Sequence, residues 1–308
     1  EARTFLLTGL RALEHLPASH VNLQRAVDFR LALRTPLYYL NAFDELHSHL
    51  REAESIAQRI SDNRRLGRAI NFLNGYHGLM GEHHRSIEFG KRALAINHDP
   101  DLNIVTHYYM GLAYHHIGQF EESINSLREA ISMMLDDRYK IERFGTAFVL
   151  SVICRTWLAY GLAQLGRFSD GKALVDEAIV IADAADHKSS LAYAHVGSGF
   201  VNLLQGNIDA AIGALETSQK ICSANNIQVF IPHISSSLGY AYVLIGRVDD
   251  ARPLMEQCEE QSKRIGRKAG WALRLTWLGH ASLLIGNTTM AQAQAQRALA
   301  FAVDGGER

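Results

Sequence analysis

The sequence is short of most features that mark an enzyme or a membrane protein. No apolar run reaches the roughly 18 residues that span a bilayer, so no membrane crossing is expected. Cysteine is scarce: Cys154, Cys222 and Cys258 are far apart, odd in number and in no metal-ligand spacing. They read as buried free thiols in a reducing cytoplasm. Neither sign of charge is in excess, with 31 basic and 32 acidic residues giving a net charge of -1. That balance argues against duplex DNA or an anionic membrane as partner, since both need a basic field. There are only five prolines, no long glycine-serine linker and few alternating runs of Val, Ile and Thr.

Catalytic motifs are missing too. There is no G-x-x-x-x-G-K-[ST] phosphate loop, no G-x-G-x-x-G after a strand and no H-E-x-x-H. The glycine-rich "NGYHGLMGEHH" lies across a helix and its turn, where it should not cradle a phosphate. Fifteen histidines invite a metal, but His83–His84 and His115–His116 are adjacent pairs whose members point to different sides of a helix. His107 and His116 are nine apart, also a poor match. The serine of "HVGSGF", Ser198, falls inside a helix rather than on a strand-to-helix elbow, so it reads as a packing residue. No catalysis, metal or cofactor is expected of this chain. The start "EARTFLLTGL" has neither a Met nor a signal pattern, which suggests a piece of a longer protein.

What is present is a repeat. Ala, Leu, Glu, Arg and Gln dominate, all helix formers. Turn residues recur at Asn41, Gly81, Gly118, Gly166, Gly206, Gly246 and Gly286, at intervals of 40, 37, 48, 40, 40 and 40. Asparagine tolerates the left-handed conformation that glycine takes at helix ends, so Asn41 fits the series. Twelve residues after each turn lie Ala53, Ala93, Ala130, Ala178, Ser218, Cys258 and Ala298, all small. Five after lie Leu46, Ser86, Ser123, Gly171, Ala211, Ala251 and Ala291, with Leu46 the exception. Seven before lie Asn74, Gly111, Ala159, Gly199, Gly239 and Gly279. Glycine in a helix costs about 0.5–1 kcal/mol relative to alanine, so its recurrence points to helices packed too closely for a side chain. Each unit therefore reads as helix A, a short turn and helix B. In the fifth unit these are "SLAYAHVGSGFVNLLQ" and "IDAAIGALETSQKICSAN", with apolar residues at three- and four-residue spacing. Acidic or hydroxyl residues follow most turns, as helix starts prefer.

Gly111, Tyr114, Gly118, Ser123, Leu127 and Ala130 resemble the signature of the tetratricopeptide repeat, and the likeness extends over residues 19–303. The resemblance implies an all-α, right-handed α-solenoid of about seven units, with helices A lining a concave side. Residues 1–18 are expected to end a preceding helix or linker, and 304–308 to form a tail. The period departs from the usual 34 and resembles the long-helix variety of bacterial signalling proteins. HEAT and armadillo repeats share the period but lack the small-residue spacing. A finer resemblance is to the C-terminal repeats of bacterial class III adenylate/guanylate cyclases with an AAA-type ATPase. It is carried by "LEHLPASHVNLQRAVDFRLALR", "HLREAESIA", "RRLGRAINFLNGYHGLMGEHHRSIEFGKRALAI", "IERFGTAF" and "SSLGYAYVLIGRVDDARPLMEQ". No cyclase or ATPase motif lies inside the chain itself.

Candidate binding residues follow from the register. Six before the turn lie Leu112, Tyr160, Phe200, Tyr240 and His280; ten before, Asn71, Tyr108, Thr156, Val196, Ser236 and Thr276; thirteen before, Arg68, Val105, Ile153, Tyr193, His233 and Leu273. From these, Arg68, Asn71, Tyr108, Tyr160, Tyr193, Phe200, His233, Tyr240 and His280 are the candidates for a groove. Two readings stand open: rings that pack between helices A, or rings that wall a groove for a peptide, protein or small ligand. The insertion in the 48-residue interval, around 135–145, reads as a longer helix B or loop, or as a bend or lip of the groove. Arg25, Arg30, Arg34, Arg64, Arg65 and Arg68 read as a solvated face or as a docking patch for a preceding domain. The function expected is a non-catalytic, cytoplasmic interaction or sensor region of a signalling protein, an adenylate cyclase first, whose partner is a protein, a peptide or the chain's own upstream domains. The alternatives are the inducer-sensing repeats of a helix-turn-helix activator and an α/α-barrel enzyme with clustered carboxylates.

Overall fold

The computed structural model describes residues 1–96, 99–136, 139–265 and 269–307, with the side chains of 39, 259 and 261–265 outside the description. Among the described residues there are sixteen α-helices and no strand. The fold is an all-α repeat solenoid. After α1 (Ala2–Glu14), α2 (His20–Ala32) and the short α3 (Arg34–Tyr39), helix pairs alternate. The pairs are α5 (Asn63–Leu79) with α6 (His83–Ile96), α7 (Pro100–His116) with α8 (Phe120–Ser132), and α9 (Leu150–Gln164) with α10 (Phe168–Ala184). They continue with α11 (Lys188–Gln205) and α12 (Ile208–Ala224), α13 (Ile231–Leu244) and α14 (Val248–Ile265), α15 (Trp271–Leu284) and α16 (Thr288–Gly305). In the first unit α4 (Phe43–Arg59) takes the place of helix B. The chain forms two compact bodies, Glu1–Met110 and Gly111–Arg308.

All seven turn residues have positive φ, from 54° at Asn41 to 85° at Gly206. At Gly206 the reason is visible in the backbone: Asn207 N–H donates to Asn202 C=O at 2.9 Å, closing α11 with a six-residue loop that requires a left-handed residue. The same bond recurs from Ala42 to Leu37, Gln119 to Tyr114 and Arg247 to Tyr242. Acidic residues in the following first turns, such as Glu121 and Glu122 of α8, face the positive end of the helix dipole.

The small positions are where helices A and B meet. Ala53, Ala93, Ala130, Ala178, Ser218 and Cys258 are fully buried. Ser123 Oγ donates to Gly111 C=O at 2.8 Å, and Ser86 Oγ to Asn74 C=O at 3.0 Å, both across a turn. A methyl on Gly199 would lie 2.5 Å from Leu215 Cγ, and one on Gly111 2.6 Å from Leu127 Cγ. Backbone-to-side-chain packing this tight leaves glycine as the residue that fits.

Two features depart from the simple repeat. The first helix A is broken into α2 and α3 beside Pro36, which has no N–H to continue the ladder. The insertion is a loop rather than a longer helix B among its described residues, with Phe144 and Gly145 at positive φ and Val149 N–H tied to Ser190 Oγ at 2.9 Å. All three cysteines are buried thiols outside any disulfide, and burial raises the Cys222 thiol to about 11. No described helix is long and apolar enough to cross a membrane.

Candidate functional site

In the second body, the helices A and the last helix B surround a cavity of about 830 Å³. Trp157 and Tyr160 come from α9, Phe200 from α11, His233 from α13, and Arg274, Trp277 and His280 from α15. His115 and His116 at the end of α7 and Ala295 and Leu299 of α16 complete its sides. A 40-residue period returns the same register position to the same face of each helix A, which is why the rings stack.

The rings form a connected series. Tyr160 and Phe200 lie 4.2 Å apart between centroids, Phe200 and Trp277 5.7 Å, and Trp277 and Tyr240 6.1 Å with planes only 5° apart. Tyr240 and His280 follow at 5.4 Å. Each such pair adds about 0.5–1.5 kcal/mol beyond the area it buries. Exposure rises along the series. Tyr160 and Phe200 are 4% and 5% exposed, Tyr240 is half-buried and His280 is exposed. The inner rungs, Tyr160 and Phe200, are nearly buried between helices, and the outer rungs, Tyr240 and His280, meet solvent. Burial pushes the Tyr160 hydroxyl well above its ordinary range and raises that of Tyr240.

Polar groups converge on this wall. Arg274 Nη2 donates to His233 Nε2 at 2.7 Å. Arginine has no acceptor, so the imidazole nitrogen is the accepting partner in that bond. The Glu307 carboxylate is buried and accepts from the amides of Gly270 at 2.7 Å and Ala272 at 3.3 Å, at the start of α15. His116 Nδ1 lies 3.9 Å from Glu307 Oε1. Ser237, the serine in the lining, donates its hydroxyl to the backbone carbonyl of His233 at 2.8 Å, so it is not set against an imidazole as a nucleophile.

Of the nine candidates from the sequence, Tyr160, Phe200, His233 and His280 line the cavity, and Tyr240 adjoins it through Trp277 and His280. Tyr193 does not reach the groove surface. It is 6% exposed, packed among Phe148, Phe230 and His233. The other three lie in the first body. Asn71 is fully buried and donates to Leu102 C=O at 3.2 Å and to Thr106 Oγ1, tying α5 to α7. Its amide nitrogen is satisfied inside the protein, while the buried Oδ1 meets no hydrogen-bond partner among the described residues. Tyr108 is half-buried against Tyr109. Arg68 lies beside Arg64, Arg65 and Asp28 around a recess of about 290 Å³. There Arg65 forks onto Asp28 at 3.0 and 2.7 Å and reaches Asp62 at 2.7 Å, so much of this basic run is compensated within the protein. Sequence reasoning missed Trp157 and Trp277. Both stand nine residues before a turn, and that shared offset was the available signal.

The sequence family described as tetratricopeptide repeat matches residues 106–134. The helices on either side repeat the same packing, so the fold is tetratricopeptide-like. No curated protein matches the chain in sequence. Among solved structures, a Rap protein complexed with competence and sporulation factor is similar at TM-score 0.71 and 14% identity, covering 99% of this chain and 97% of that one. The apo form of RapI is similar at 0.69 and 11%, covering 90% and 97%. The Rap conjugation gene regulator of plasmid pLS20, in complex with a Phr peptide, is similar at 0.59 and 12%, covering 99% and 95%.

Proposed function

We propose that this chain is a non-catalytic sensor and interaction module that binds a short peptide in the aromatic cavity of its second body. The observation that carries the proposal is the cavity itself: about 830 Å³, walled by Trp157, Tyr160, Phe200 and Trp277 and supplied with a few converging polar groups. Ligand sites have this make-up, a large apolar wall for contact area and sparse polar groups for orientation. The volume suits a peptide of a few residues. The similar fold of a plasmid regulator that holds a Phr peptide supports the class of ligand. Binding would act on attached or associated domains by favouring one curvature of the repeats over another, which requires unequal affinity for the two shapes. A nucleotide cyclase as the larger protein rests on the sequence phrases quoted above; one of the similar structures just named is a conjugation gene regulator. An inducer-sensing helix-turn-helix activator is the alternative setting for the same module.

The test is affinity selection from a pooled random pentapeptide library, read by mass spectrometry, on the wild type and on Trp277→Ala. Peptides enriched by the wild type and lost from the variant, with helicity unchanged, are the expected result. Equal enrichment by both, or none by either, contradicts the proposal.

A further inference from the structure

Glu307 is a buried carboxylate in the lining of the cavity, among rings, aliphatic side chains and a few polar groups. It sits on the amides of Gly270 and Ala272 at 2.7 and 3.3 Å. One turn further along the same helix, Arg274 lines the cavity and reaches His233 with its guanidinium. This corner favours negative charge for three reasons: the amides point outward at a helix start, the helix dipole is positive there, and an arginine is close by. The chain fills it with its own side chain, reached from the end of α16 through Gly306 at φ 66°. The carboxylate is therefore delivered by a short turn and not by a packed helix face.

We infer that Glu307 is an internal stand-in for a ligand carboxylate, and that a bound peptide places its own carboxylate on the Gly270 and Ala272 amides in exchange for Glu307. The inference rests on the peptide-binding reading above and adds to it the group that the site recognises. No bond is made or broken in the exchange; one carboxylate replaces another, and the Glu307 carboxylate moves to water. A ligand of this kind has an apolar or aromatic body against Trp157, Phe200 and Trp277 and an anionic group at the start of α15. The exchange also explains how an apolar cavity keeps its anion-binding corner satisfied when empty, since buried amides left without acceptors are costly.

Three N-acetylated tripeptides separate the possibilities: acetyl-Phe-Leu-Phe with a free C-terminal carboxylate, the same peptide amidated, and acetyl-Phe-Asp-Phe amide. None contains tryptophan, so the protein's three tryptophans, all in the second body, report binding by their emission. Glu307→Gln keeps an acceptor for the amides and removes the charge. Loss of a charge-assisted competitor is expected to tighten the carboxylate peptides about tenfold, while the amidated peptide is unchanged. Tightening of the free-acid peptide alone assigns the corner to a C-terminus; tightening of the aspartate peptide alone assigns it to a side chain. If Glu307→Gln alters all three affinities equally, or none of them, Glu307 is only a helix cap and the inference fails while the cavity reading stands. If no peptide binds either protein, the cavity reading itself fails, and this inference with it.

Discussion

Tyr240 and His280 occupy the same register position in successive units, forty residues apart, and their side chains are joined by a 2.9 Å hydrogen bond between ring hydroxyl and Nδ1. At the other end of the same series Tyr160 and Phe200 lie 4.2 Å apart between centroids with their planes tilted by 39°, and both are almost out of solvent. One sequence position thus does two jobs, holding units together where it is buried and presenting rings where it is open.

Substitutions along the series should separate these jobs. Tyr160→Ala is expected to cost about 3–5 kcal/mol, as for a buried aromatic. Tyr240→Phe, which removes an exposed hydrogen bond, should cost less than about 1 kcal/mol, and His280→Ala should stay within about 0.5 kcal/mol. Urea unfolding of the three variants gives the comparison. Equal losses at all three would show that the ladder is packing throughout.

The helical glycines should respond with opposite signs. A methyl at Gly199 or Gly111 meets a buried leucine Cγ at 2.5 or 2.6 Å, so alanine there is expected to cost about 1–3 kcal/mol by overpacking. At Gly279 the nearest atoms stand at 3.5 Å, an ordinary contact. Alanine should fit and stabilise that helix by about 0.5–1 kcal/mol. Melting temperatures that fall for Gly199→Ala and rise for Gly279→Ala agree with this packing; a fall at both sites would not.

The fold was legible in the sequence because its strongest constraints act locally. A left-handed residue is needed where helix A ends, and a small one where helices A and B meet, so both recur with the period. The break between α2 and α3 beside Pro36 and the loop at Phe144–Gly145 do not recur, and the period is silent about them. The site was legible only in part. Register gives the face of a helix, which found Tyr160, Phe200, His233 and His280. It does not give depth, so Tyr193 and Asn71 were grouped with them although neighbouring helices cover both. Glu307 could not be found from register at all, since it reaches the cavity from beyond the last helix.

Acid should weaken the protein before its carboxylates titrate. Burial holds His47, His49 and His77 below the usual imidazole range, and for His77 the bond to Glu82 at 2.7 Å only partly offsets this. The folded state then takes up these protons less readily than the unfolded chain. Stability is complete above the unfolded imidazole value of about 6.5 and is lost as pH falls below it toward the folded values. Glu82 adds to the loss at lower pH. Burial tends to raise it, but His77 and Arg85 outweigh that and hold it down, so its contribution disappears as pH drops through the carboxylate range. Urea midpoints should match at pH 8 and 7 and fall by pH 5.5; a midpoint constant across all three contradicts the assignment.

The central claim, that the ring-walled cavity of the second body is where a peptide binds, is tested most directly by hydrogen–deuterium exchange with and without a pentapeptide enriched by the wild type. Slower exchange in α9, α11 and α15, lost in Trp277→Ala, is what the account predicts. Protection confined to α4, α5 and α6 at saturating peptide, or no protection anywhere, would contradict it.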